Sequence, residues 1–165
     1  GTVCVFWHKL VQMASAEFRQ GRSSGRQKHP HQNFISMTEL LTHFLGALYG
    51  AMALILGAFG AHALKKKATA EQLASFETGV RYQFYHALLL VVLGYGLGFQ
   101  HPVETWVVNC FMVGTPLFSW SIFGLVWSDI RGNKWRFLGP VTPIGGLILA
   151  IGWLLLAYDS VRFIF

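Results

Sequence analysis

Four long stretches of the chain contain no Asp, Glu, Lys or Arg: residues 40–64, 82–103, 105–128 and 137–158. They run to 25, 22, 24 and 22 residues. At about 1.5 Å per residue, each can cross a hydrocarbon core of about 30 Å as a helix. Inside a bilayer every backbone amide must be paired within its own segment, so helix is the expected state. A soluble four-helix bundle would carry a charged outer face on every helix. These stretches have none, and only 12% of the 165 residues are charged against 53% hydrophobic. The expected fold is all-α: an integral membrane bundle of four transmembrane helices over residues 37–165, with a short amphipathic helix between the first and second spans.

The connections follow from what remains. Lys65, Lys66 and Lys67 close the first span. Residues 68–79 read as the amphipathic helix, because Thr69 and Gln72 have capping-box spacing. Leu73, Phe76 and Val80 then recur on one face, as in a helix lying at the membrane interface. Residues 98–104 and 129–136 read as turns, and residues 158–165 as a short tail. Thr142 followed by Pro143 has the pattern of an N-cap and first helical residue. Pro116 predicts a kink in the third helix, eased by Thr115 and Ser119. Trp106, Trp127, Trp135, Trp153 and Tyr158 lie near span ends, where aromatic side chains anchor.

Orientation is read from Lys/Arg asymmetry in short loops. Residues 65–81 and 129–136 carry Lys65, Lys66, Lys67, Arg81, Arg131, Lys134 and Arg136, whereas the opposite side carries only Arg162. This places both basic loops in the cytoplasm and both termini outside. The polar, basic residues 1–36 would add Lys9, Arg19, Arg22, Arg26 and Lys28 to the wrong side. They are therefore expected to be a disordered leader or no part of the mature membrane domain, which would begin at Met37. An Arg- and Ser-rich mitochondrial-type presequence is the alternative, and would move the protein to the mitochondrial inner membrane. Ala61-His62-Ala63 mimics a signal-peptidase site, but the apolar stretch before it exceeds a signal peptide's core, so the helix is expected to be retained.

Two features could carry function. Small residues at Gly46, Gly50, Ala53, Gly57 and Gly60 share one face of the first helix, and Gly145 and Gly146 give a weaker version on the fourth. Such faces let helix backbones approach closely, within one chain or between copies. The densest polar group is Glu77, Arg81, Tyr82, Gln83 and His86, with His62 expected nearby at the end of an antiparallel neighbour. Glu77 and Arg81 stand at i,i+4 and can pair. Ionisable groups near membrane depth are costly unless paired. The cluster reads either as an interfacial clasp or as a proton- or ligand-handling site. No cofactor or metal is expected. His43 and His62 lie about 28 Å apart along one helix, and no tetrahedral ligand set is complete. Cys4 and Cys110 are too few for a disulfide framework.

Three motifs in order, GAFGAH at 57–62, FETGVRYQFYH at 76–86 and TPIGG at 142–146, resemble domain-of-unknown-function family 423, the YgdD-like small bacterial inner-membrane proteins. The likeness extends over about residues 37–158. It implies a compact multi-spanning protein of the bacterial cytoplasmic membrane, and it brings no reaction, substrate or catalytic residue. The expected role is that of a structural or accessory membrane component, not an enzyme. A small transporter or proton-coupled pore using the Glu/Arg/His cluster on the cytoplasmic side is the alternative. The lipid bilayer is the expected partner, with a second copy or another membrane protein as candidates. Nucleic acid is not, despite a formal net charge of +6, because a nucleic-acid-binding arm accompanies a soluble body.

Overall fold

The computed structural model describes residues 30–162, and side chains from Met37 onward. The chain divides into two compact units, Gly1–Asn33 and Phe34–Phe165, and the bundle described below is the second. The expectations for residues 1–29 lie outside the described residues.

Among the described residues four helices follow one another: α1 (Pro30–His62), α2 (Ala70–Gly96), α3 (Pro102–Ile130) and α4 (Val141–Val161). Single 3₁₀ turns, Leu64–Lys66 and Arg136–Leu138, sit in the α1–α2 and α3–α4 connections. Three of the described segments are long and apolar enough to cross a membrane: Met37–Lys66, Pro102–Ile130 and Arg136–Val161. The expected second span is not among them, because α2 ends at Gly96 and carries Arg81, Gln83 and His86 beside its apolar stretch.

The separate amphipathic helix is a correction. Its start forms as expected, with the Thr69 hydroxyl accepting from the Gln72 amide at 3.2 Å and the Gln72 carboxamide oxygen accepting from the Thr69 amide at 3.0 Å. Nothing then breaks the helix, which runs unbroken to Gly96. Gly79 does not end it, because the glycine serves a contact: a Cβ there would lie 2.6 Å from Phe123 Cε1. Leu73, Phe76 and Val80 do not lie on a lipid surface but join Leu64 and Val126 in a small apolar cluster. At the other end the chain leaves α2 seven residues before the expected Val103. Phe99 adopts φ 50°, unfavourable for a bulky residue, while its ring is buried in the main core.

That core draws on every helix: Tyr49 from α1, Leu90 from α2, Val107, Val108 and Phe111 from α3, and Leu149 from α4. The α1 small-residue face lies along α2. A Cβ at Gly46 would meet Val91 at 2.9 Å, one at Gly50 Ala87 at 3.8 Å, one at Gly57 Val80 at 3.4 Å, and one at Gly60 Phe76 at 3.0 Å. As the α1 number rises the α2 number falls, so the two helices are antiparallel. On α4, a Cβ at Gly145 would fall onto the Phe118 amide nitrogen, with Leu117 C at 2.8 Å. Here the α3 and α4 backbones themselves touch.

The easing of Pro116 by Thr115 and Ser119 and the cap of α4 differ from expectation. Pro116 lies inside continuous α3 and deprives the Met112 carbonyl of its helical donor. That carbonyl is taken by another helix, since the Tyr49 hydroxyl donates to it at 2.9 Å. Thr115 bonds instead to Phe111 O at 2.6 Å, and the buried Ser119 hydroxyl has no partner. Thr142 is not the N-cap of α4, which begins at Val141. Its hydroxyl pairs with that of Ser121 at 2.8 Å, tying the start of α4 to α3.

Candidate functional site

The six residues of the expected polar cluster are dispersed by helical geometry. On α2 the inward face is Phe76, Gly79, Gln83, His86, Leu90 and Leu93, all buried. Glu77 and Arg81 lie on the other side, exposed. They flank a shallow depression of about 230 Å³ over Gly57 and Gly60. Arg81 Nε reaches only the Glu77 backbone oxygen, at 3.4 Å, and the Glu77–Arg81 ion pair is not made. His62 is exposed at the end of α1. The clasp joining these groups is therefore corrected: i,i+4 spacing puts Glu77 and Arg81 on one face, and that face looks away from the bundle.

Gln83 and His86 are internal and serve packing. The fully buried Gln83 donates from Nε2 to Tyr49 O at 3.0 Å, leaving its Oε1 without a partner. With the Tyr49–Met112 bond, this links α2 to α1 and α1 to α3. His86 Nδ1 lies 2.7 Å from Tyr82 O, so the ring is turned back onto its own helix. It packs against Phe111 at 5.6 Å and Trp153 at 6.4 Å. Tyr82 is exposed, its ring 5.1 Å from that of Phe118.

Two other polar groups emerge that the sequence analysis did not single out. The first surrounds Asp129 at the end where α2 and α4 begin and α3 finishes. Gln72 Nε2 donates to Asp129 Oδ2 at 2.8 Å, and Lys134 Nζ lies 3.5 Å from Oδ1. Gln72 thus uses both ends of its carboxamide, one for the cap and one for the link to α3. Beside this link is a cavity of about 700 Å³. Glu71, Ser75 and Thr78 reach it from one face of α2, and Ile122, Leu125 and Val126 from one face of α3.

The second group lies at the opposite end. Arg162 Nε sits 2.7 Å from Asp159 Oδ1, and Nη2 sits 3.4 Å from Glu104 Oε1. Both carboxylates are almost fully buried, with side-chain exposures of 5% for Glu104 and 6% for Asp159. The other Glu104 oxygen accepts from the His101 amide at 3.2 Å, capping α3. Among the described residues, no three His, Cys, Asp or Glu side chains converge to hold a metal ion.

A tightly packed helical bundle with three segments apolar enough to cross a membrane and polar groups at both ends meets its relatives at this point. Residues 56–146 match the family described as "Protein of unknown function (DUF423)". A UPF0382 membrane protein of Staphylococcus haemolyticus is 37% identical over 120 residues, covering 73% of this chain and 94% of the relative. The chain belongs to the DUF423 family. The UPF0382 inner membrane protein YgdD of Escherichia coli K12 is 35% identical over 129 residues, covering 76% of this chain and 93% of the relative. A further UPF0382 membrane protein, from Staphylococcus saprophyticus, is 39% identical over 118 residues, 72% of this chain and 94% of the relative. No solved structure matches. The matched DUF423 region contains α2, α3 and the cavity around Asp129, but ends before Asp159 and Arg162.

Proposed function

We propose that this DUF423 protein is a four-span, non-enzymatic structural or accessory component of the bacterial cytoplasmic membrane. The observation that carries this reading is how the internal polar groups are used. Gln83 bonds to Tyr49 O, Tyr49 to Met112 O, and Ser121 to Thr142. These groups join helix to helix, and large apolar side chains such as Phe111 and Leu90 fill the space around them. Polar side chains that bond from helix to helix inside a bundle add packing specificity, whereas a transport route needs them facing water.

The fourth span is supported by register. Gly46 of α1 lies beside Val91 of α2, and Gly60 beside Phe76. Residues 76–91 of α2 therefore occupy the same depths as residues 46–60, the middle of an apolar crossing. At 27 residues, α2 is about 40 Å long, enough to cross. Its polar Gln83 and His86 are turned into the bundle, away from lipid. The excess of basic residues in the α1–α2 and α3–α4 connections supports a cytoplasmic location for both, with both termini outside.

The proton-coupled pore loses its expected constellation, since Glu77 and Arg81 are exposed on the outer face of α2 while His86 is enclosed by aromatic rings. In sealed liposomes the protein is expected to leave an imposed proton gradient decaying at the rate of protein-free vesicles. Faster decay that disappears with His86→Ala or Glu77→Gln would overturn this reading in favour of the pore.

A further inference from the structure

The cavity beside Asp129 combines two kinds of wall. Ile122, Leu125 and Val126 form an apolar floor on α3, while Ser75, Thr78 and Thr142 bring hydroxyls above it. Its volume, about 700 Å³, is in the range of small-molecule sites. The cavity has a structural cause. The backbones of α2 and α4 both pack on α3 without packing on each other. Farther along, the His86 ring packs onto Trp153 and closes the gap. At the end nearest Asp129 nothing comparable fills it. A bulky side chain would seal the gap, but the positions facing it are Ser75, Thr78 and Thr142.

Charge narrows the occupant. Asp129 is already engaged by Gln72 and Lys134. Glu71, on the same cavity, has no hydrogen-bond or ion-pair partner among the described residues. The lining therefore offers one exposed, uncommitted carboxylate, Glu71, and the Lys134 ammonium that Asp129 holds at 3.5 Å. A headgroup with only negative charge would meet Glu71 unfavourably, and one with only positive charge would meet the Lys134 ammonium on the same lining.

We propose that this cavity seats a phospholipid whose headgroup joins a primary ammonium to a phosphate, the ammonium at Glu71, the phosphate toward Lys134, and the start of an acyl chain on Leu125 and Val126. This rests on the membrane-spanning reading above, which puts this end of the bundle at the lipid–water interface. A primary ammonium donates three hydrogen bonds, which a carboxylate and the hydroxyl oxygens on the same lining can accept. A quaternary trimethylammonium donates none, so the site discriminates between the two.

The test is native mass spectrometry of the full chain in mild detergent, supplied with equal amounts of phosphatidylethanolamine, phosphatidylcholine and phosphatidylglycerol. Retention of the ethanolamine lipid is expected to exceed each of the others by about tenfold, the scale of one charge-assisted hydrogen bond. Glu71→Gln is expected to remove most of that preference, and Thr78→Leu, which fills the cavity, to reduce retention of the ethanolamine lipid itself. Unchanged melting temperature shows that each variant is folded. Equal retention of the three lipids, or a preference unaltered by Glu71→Gln, would overturn the proposal. So would displacement of the lipid by equimolar soluble phosphoethanolamine, which would make the ligand a free metabolite. Headgroup selectivity is read in detergent, so its failure leaves span count and orientation intact, and their failure leaves the retention result standing.

Discussion

Gly145→Leu is expected to prevent α4 from docking, leaving little protein that survives detergent extraction in folded form. The reason is the identity of the atoms a side chain would strike. At Gly145 these are the Phe118 amide nitrogen and, at 2.8 Å, Leu117 C and Phe118 Cα, all backbone. A neighbouring rotamer cannot relieve such a clash, so the helices must separate, and membrane helices are held mainly by close packing. Even Gly145→Ala is expected to cost about 1–3 kcal/mol or more, the usual range for overpacking. The adjacent glycine is the control. A Cβ at Gly146 would lie 3.6 Å from the Phe118 ring, an ordinary contact, so Gly146→Ala should melt close to the parent protein. Equal melting of the two alanine variants would contradict the α3–α4 contact.

Arg162→Ala carries the second large effect. Glu104 and Asp159 are buried near the end of the bundle, and Arg162 touches both. Removing one partner of a buried charge group leaves the others uncompensated, at about 3–5 kcal/mol. The expected result is a marked fall in melting temperature in detergent. Arg162→Ala combined with Glu104→Gln and Asp159→Asn should recover much of it, because the carboxylates are then neutral. Additive losses in the triple variant would show that Arg162 contributes by packing alone, contrary to the charge account.

The presence of membrane-crossing helices was legible because long uncharged stretches permit little else in a bilayer. The boundary of α2 was not. Cutting at Arg81 treats a charge as a break, yet a charged side chain on an outer face does not interrupt backbone hydrogen bonding, and α2 runs on from Ala70 to Gly96. The i,i+4 pairing of Glu77 with Arg81 drew attention to the outward face. The inward series was also present in the sequence, as Phe76, Gly79, Gln83, His86 and Leu90 at helical spacing. The partner of the Met112 carbonyl, freed by Pro116, was not readable locally, since Tyr49 is 63 residues away. The same holds for Gln72 with Asp129, 57 residues apart, and Glu104 with Arg162, 58 apart. Such groups are assembled by packing, and no local pattern announces them.

The central claim is a four-span antiparallel bundle with its basic connections inside, and sidedness of labelling tests it most directly. Single cysteines at Ala70, Gln100 and Asn133, all exposed, would be introduced after Cys4→Ser and Cys110→Ala. In intact bacterial cells a membrane-impermeant maleimide is expected to label position 100, and to label positions 70 and 133 only once the membrane is opened. If positions 70 and 100 react from the same side, α2 does not cross and the four-span account is wrong.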